Sequence, residues 1–186
     1  VTGDNRLSGL SRDGAVEALS KVGHPEFEQP FGMSIPAAYG LVATRYMHDY
    51  GATNAHLAAV SVASRKHANK TAGAHKRDLI TLEDVERSRM ISTPLRMLHC
   101  SLISDNAAAV VVSAHHSKNC KKPPVEIMGT GQGHSHEHII SAPSLTNFAC
   151  KESSRMALSE AGMKPSDIDL LQIYDSFSIT LLIELE

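Results

Sequence analysis

The chain has 186 residues, 42% of them hydrophobic and 20% charged, which is long enough for one ordinary core and too apolar for native disorder. Eighteen basic and twenty acidic residues leave a formal net charge of -2, so no basic field draws the chain to a phosphate backbone or an anionic membrane. Aromatic residues are only 4% and Trp is absent, which removes the stacking platforms of single-strand binders; nucleic acid is excluded as a partner.

Residues 1–34 are rich in Gly, Asp, Asn, Pro and Ser and read as loop around one short helix at Asp13 to Val22. The start Val1-Thr2-Gly3-Asp4 carries neither the basic nor the apolar region of a signal peptide and has no initiator Met, so it looks like a cut. Ser34 as cap, Pro36 in the first turn, and Tyr39, Val42, Ala43, Tyr46 and Met47 at helical spacing predict a helix that Gly51 stops. Thr53 opens a second helix through Leu57, Val60, Ala63, Ser64 and His67, and Thr81-Leu82-Glu83-Asp84 is an acidic capping box before a shorter one.

Beyond Pro94, Ala107 to Ser113 is a continuous small and β-branched run that predicts a strand buried on both faces. Lys118 to Pro124 reads as a boundary, and Val125 to Met128 as a strand stopped by Gly129, Gly131 and Gly133. Asn147 to Ala161 predicts a helix with Gly162 as its stop, Ile168 to Ile173 a buried strand, and Ser178 to Glu186 a last apolar helix. Strands alternating with helices imply a parallel α/β sheet. Nowhere does an apolar run approach the roughly 20 residues of a membrane helix, and Cys100, Cys120 and Cys150, widely spaced and without C-x-x-C, suit reduced cytosolic thiols. A cytoplasmic protein off the membrane is expected.

Three segments share an order and spacing: Ser104-Asp105-Asn106-Ala107-Ala108-Ala109, then Met128-Gly129-Thr130-Gly131, then Ala157 to Gly162 leading to Tyr174-Asp175-Ser176-Phe177. Together they resemble the thiolase superfamily, closest to the branch of the sterol-carrier-protein thiolases and the bacterial lipid-transfer thiolase-like proteins. The resemblance covers about Phe31 to the end. It implies a thiolase-like α/β fold with mixed parallel strands in parts of two half-domains. Residues 1–118 would end the N-terminal half, with a helical insertion at about 31–95, and 122–186 would begin the C-terminal half, ending before the fold is complete. Where the family has Gly this chain has Asn106, which a left-handed turn tolerates, and Asp105 can bond nearby amides.

The resemblance further implies an acyl-CoA protein that makes or breaks a carbon–carbon bond beside the thioester, of acetyl-CoA acetyltransferase type, with coenzyme A as part of the substrate and no prosthetic group. The tetrad Tyr174 to Phe177 follows an expected strand, where open α/β sheets place their sites. At its first position the family has Asn or His, which helps stabilise a thioester enolate; Tyr174 can donate to an oxyanion or act as acid or base. That tyrosine opens an alternative, a retro-aldolase on a β-hydroxyacyl-CoA working with an OB-fold partner. A non-catalytic acyl-CoA or lipid carrier is another. None of the three Cys sits in a family nucleophile motif, so the chain alone is expected to be inactive as a thiolase.

The family's coenzyme A site directs attention to Lys66 within the basic stretch Arg65 to Arg77, to Met33 for the pantetheine channel, and to His134 and His138 for substrate contact. His134, His136 and His138 would share one face of an extended segment, but no carboxylate or Cys completes a metal spacing, and no metal is expected. Thiolases resemble dimers and tetramers, so a homo-oligomer is expected as well.

Overall fold

The computed structural model describes residues 1–5, 8–9, 11–114 and 122–186. Cys120 and most of the expected boundary at Lys118 to Pro124 lie outside these residues. Elements run in the order β1 (Thr2–Asp4), α1 (Arg12–Ser20), α2 (Ile35–Tyr50), α3 (Asn54–Lys70), α4 (Leu82–Arg87), β2 (Met90–Ser92), β3 (Leu95–Arg96), β4 (Asn106–Ala108), α5 (Cys150–Ala161) and α6 (Ser178–Leu185).

The helices form where local chemistry asks for them. The Ser34 hydroxyl accepts from the Ala37 amide at 3.3 Å, and Gly51 at φ 66° closes α2 in the left-handed region that favours glycine. Before α3, the Thr53 amide donates to Nδ1 of His56 at 2.9 Å. Thr81 and Asp84 exchange a reciprocal pair ahead of α4: the Asp84 amide donates to the Thr81 hydroxyl at 3.1 Å and the Thr81 amide to the Asp84 carboxylate at 2.8 Å. α5 begins three residues later than its periodicity predicts. The Ser144 hydroxyl takes the Thr146 and Asn147 amides at 3.2 and 3.1 Å, and this local turn competes with the first helical turn.

α2, α3 and α6 enclose the core: Val42, Ala43, Tyr46, Leu57, Leu95, Phe177, Ile179 and Ile183. The hairpin β2–β3 contributes Leu95 to it. No helix among the described residues is long and apolar enough to cross a membrane.

The expected parallel sheet does not form among the described residues. β1 pairs antiparallel with β4, and β2 with β3. The run Ala107 to Ser113 is laddered only as far as Ala108, and Val111 is 94% exposed. Val125 to Met128 and Ile168 to Ile173 are in no strand, with Val125 at 96% and Leu170 at 73% exposure. An apolar run becomes a strand only when a neighbour meets its amides and carbonyls, and among the described residues β1 alone ladders any of these three segments, as far as Ala108. Asn106 also departs from expectation: it lies in β4, and no non-glycine residue among those described has positive φ. Asp105 accepts from the Ser8 amide at 3.0 Å, across 97 residues of sequence.

Gly129, Gly131 and Gly133 do more than stop a strand. A Cβ at Gly129 would overlap the Ala157 carbonyl oxygen, at Gly131 that of Ser153, and at Gly133 it would lie 2.7 Å from that of Ala149. Alternate residues of this segment therefore lie backbone to backbone on every fourth residue from Ala149, the N-cap of α5, to Ala157. The periods match, because two extended residues rise roughly 6.6 Å and four helical residues about 6 Å. Thr130 between them donates its amide to Glu160 at 2.7 Å and its hydroxyl at 3.0 Å. This contact delivers residues 134–138 to the site described next.

Candidate active site

The tetrad Tyr174 to Phe177 is fastened from three directions. The Ser64 hydroxyl of α3 donates to the Asp175 carboxylate at 2.9 Å. The Ser101 amide donates to the Ser176 carbonyl at 3.0 Å, and Cys100 bridges antiparallel to Phe177. Phe177 stacks on Tyr39 of α2, ring centroids 4.3 Å apart. Just beyond, Ser178 is buried, lies 3.0 Å from the Ser61 hydroxyl and donates to the His99 carbonyl at 3.4 Å. Tyr174 itself stands clear of these ties at 76% exposure. The three residues that follow it are held by the helical block and by Cys100 and Ser101, while its side chain is open to solvent.

His99 sits behind the tetrad at 3% exposure. Its Nδ1 accepts from the Arg96 amide at 3.0 Å, and its Nε2 has no partner among the described residues. Burial, with the Arg96 guanidinium adding to it, holds the imidazole below its ordinary value of 6.5, so the ring is neutral and structural near pH 7. Burial likewise pushes the Cys100 thiol up to about 11, and the sulfur donates to the Arg96 carbonyl at 3.4 Å. A thiol held protonated is no nucleophile.

Beside the tetrad, between α2, α6 and the segment carried by α5, lies a cavity of about 320 Å³. Its wall includes Met33, Tyr39, Val42, Phe148, Ile179 and Ile183, with His136, His138, Glu28 and Cys150 among its polar or reactive residues. The Ser176 and Thr180 hydroxyls, 3.0 Å apart, connect the tetrad to this wall, because Thr180 lines the cavity. Met33 and His138 both line this cavity. His134 does not join them: it is exposed and 2.8 Å from the Gln132 amide nitrogen, in a shallow depression over α5. His136 turns inward instead, its ring 5.5 Å from that of Phe148. Among the described residues no three His, Cys, Asp or Glu side chains converge on a metal position.

Lys66 is exposed on α3, away from the cavity lining. Nearby cations are tied to the loop that follows: Arg65 donates to the Asp78 carbonyl at 2.9 Å, and Asn69 and Arg77 exchange hydrogen bonds with each other's carbonyls at 2.9 and 3.0 Å. Glu28 lines the cavity and is a residue that sequence reasoning did not single out. It lies in a stretch read as loop, and it is 3% exposed because it bonds the amide of Ile140, 112 residues away. No local pattern announces such a partner.

Comparison with known proteins places these features in context. Residues 131–186 match the family model "Thiolase C-terminal domain-like". The chain is 35% identical over 176 residues to the acetyl-CoA acetyltransferase of Methanocaldococcus jannaschii, covering 92% of this chain and 45% of that protein. It is 38% identical over 168 residues to the 17-hydroxy-3-oxo-4-pregnene-20-carboxyl-CoA lyase of Mycobacterium tuberculosis, covering 86% and 44%. The solved Ltp2-ChsH2(DUF35) aldolase superposes with a TM-score of 0.79 at 29% identity, over 98% of this chain and 49% of that one. The chain spans about half the length of the relatives it matches.

Proposed function

We propose a function from the family to which this chain belongs, the thiolase superfamily: the protein takes a coenzyme A thioester and makes or breaks the carbon–carbon bond beside it. The observation that carries this reading is the tetrad, which is tied at the Asp175 carboxylate, the Ser176 carbonyl and the Phe177 ring while the Tyr174 side chain stays exposed. Such chemistry develops negative charge on the thioester oxygen. A preorganised donor aimed at that oxygen stabilises it, and the Tyr174 phenol is the donor proposed here. Met33 and His138 would contact the acyl-pantetheine part in the cavity, His134 the approach to it, and Lys66 the coenzyme A phosphates. No prosthetic group is needed for these steps.

A second reading is favoured by Tyr174 standing where the family has Asn or His. In it the protein is a retro-aldolase that cleaves a β-hydroxyacyl-CoA and works with an OB-fold partner; a named lyase and an aldolase are among its relatives. Mixed parallel strands in two half-domains, 1–118 and 122–186, and a homo-oligomer belong to the same proposal. The exposed Val110 to Val112 and Leu170-Leu171 are what such pairing would cover.

The test gives the full-length protein a β-ketoacyl-CoA with free coenzyme A, and separately a β-hydroxyacyl-CoA, and follows the products. Thiolysis marks the first reading and retro-aldol cleavage the second. A Tyr174→Phe variant should lose roughly 10²–10³-fold in kcat with coenzyme A affinity unchanged. Unaltered turnover would remove Tyr174 from the chemistry, and an acyl-CoA bound and released intact would mark a carrier.

A further inference from the structure

Asp175 is the charged member of the tetrad, and the hydroxyl that meets it belongs to a pattern. Ser64 donates to its carboxylate at 2.9 Å, across 111 residues of sequence. Almost one turn earlier on α3, the buried Ser61 and Ser178 hydroxyls lie 3.0 Å apart. Ser61 and Ser64 share one face of the helix, and the pairs match in reverse order, 61 with 178 and 64 with 175. Residues 175–178 therefore run antiparallel to α3 on two hydroxyl rungs, about 4.5 Å apart along the helix axis.

Serine is a modest helix former because its hydroxyl competes for nearby main-chain groups. Ser64, inside a 17-residue helix, commits that hydroxyl to Asp175, and a hydrogen bond to a carboxylate is stronger than one between neutral groups. It is also the tie nearest to Tyr174 among the described residues, since the next, from the Ser101 amide, reaches the Ser176 carbonyl two residues on. With its side chain exposed, Tyr174 takes its direction from the main chain it shares with Asp175. A donor serves a developing oxyanion only when held within roughly 0.5 Å and 10–20° of the productive geometry. The tie can be cut on its own because its donor is a side chain. Glu28 offers the contrast: desolvation opposes its charge, but the His24 and Ile140 amides hold its carboxyl below the ordinary 4.5, and no side-chain substitution removes a main-chain donor.

We propose that Ser64 is a positioning residue for Tyr174: by holding the Asp175 carboxylate against α3, it fixes the main chain from which the phenol is aimed at the thioester oxygen. The assignment rests on the Tyr174 reading above and extends the site to α3. Ser64 touches no reacting atom, and its effect on turnover passes through Asp175 and Tyr174.

Steady-state kinetics of the full-length protein test it, with acetoacetyl-CoA plus free coenzyme A and, separately, 3-hydroxydecanoyl-CoA as substrates. The variants are Ser64→Ala, Ser64→Thr, Tyr174→Phe and the double variant Ser64→Ala with Tyr174→Phe. Ser64→Ala should fold, because Ala is the better helix former, and should lose about 10- to 100-fold in kcat with KM within about twofold of the wild type. Ser64→Thr, which keeps a hydroxyl, should recover most of that loss. The double variant should be no slower than Tyr174→Phe alone, because a residue that acts through the phenol then has nothing left to position. With Tyr174→Phe impaired, this assignment alone is overturned by any of four results: Ser64→Ala at wild-type turnover or unable to fold, a KM raised as much as kcat falls, Ser64→Thr as slow as Ser64→Ala, or losses that multiply in the double variant. Tyr174→Phe at wild-type turnover overturns the Tyr174 reading, a wild type that turns over neither substrate overturns the acyl-CoA reading, and this assignment falls with either.

Discussion

Replacing Gly131 with Ala probes the contact that seats residues 129–138 on α5. The added Cβ would overlap the Ser153 carbonyl oxygen and lie 3.0 Å from the Ala157 nitrogen. Both are backbone atoms of a hydrogen-bonded helix, so neither can swing aside. Restoring an ordinary heavy-atom separation of ~3.5 Å requires the two backbones to part by on the order of 1–2 Å. The parting also pulls the Thr130 amide and hydroxyl from Glu160. Overpacking of this kind costs about 1–3 kcal/mol, and at roughly 2–4 °C per kcal/mol for a chain of this size the Tm should fall by about 2–12 °C. Gly73→Ala is the control, because a Cβ there meets nothing within 4 Å; its Tm should stay level or rise slightly. Thermal unfolding of the two variants side by side, followed by far-UV circular dichroism, gives the comparison. Equal melting temperatures would refute the backbone-on-backbone contact.

Two further expectations concern titrating groups. Glu28 is held below its unfolded value of 4.5, so its stabilising contribution is present above that value and is lost as pH falls through the lower folded one. Urea midpoints measured between about pH 5 and pH 3 should therefore drop more steeply for the wild type than for Glu28→Gln, and equal slopes would contradict the account. The Cys100 thiol, raised by burial to about 11, should be nearly all protonated at about pH 8. Cys100→Ser should then leave the fast phase of a thiol-labelling reaction intact, and loss of that phase would show an exposed, reactive sulfur instead.

Much of the helical part is legible in the residues themselves, and for a common reason. Ser34 with Ala37, Thr81 with Asp84, and Gly51 and Gly162 at the helix ends act within four residues, so spacing alone announces them. The position of the tetrad just ahead of α6 is readable in the same way, although the strand expected before it is not formed among the described residues. Met33 and His138 are both expected at substrate, and both line one cavity; His134, four residues earlier on the same segment, lies at the shallow face over α5. Alternation along a segment says which residues share a side, but it does not say which of them the neighbouring helix will cover.

By itself, then, the sequence determined the helices, their caps and the family likeness, because these reside in residue types at short, regular spacing. Tertiary structure alone decided three other matters. Ala107 to Ser113 reads as a buried strand, but burial and laddering belong to a neighbour, and among the described residues only Thr2–Asp4 provides one, as far as Ala108. Gly129, Gly131 and Gly133 read as stops, and only the packing of α5 shows that their missing side chains make room for a helix backbone. Glu28 reads as a loop residue until Ile140 and His138 arrive from the other end of the chain. In each case the deciding interaction joins residues far apart in sequence, where composition and periodicity carry no record of the partner.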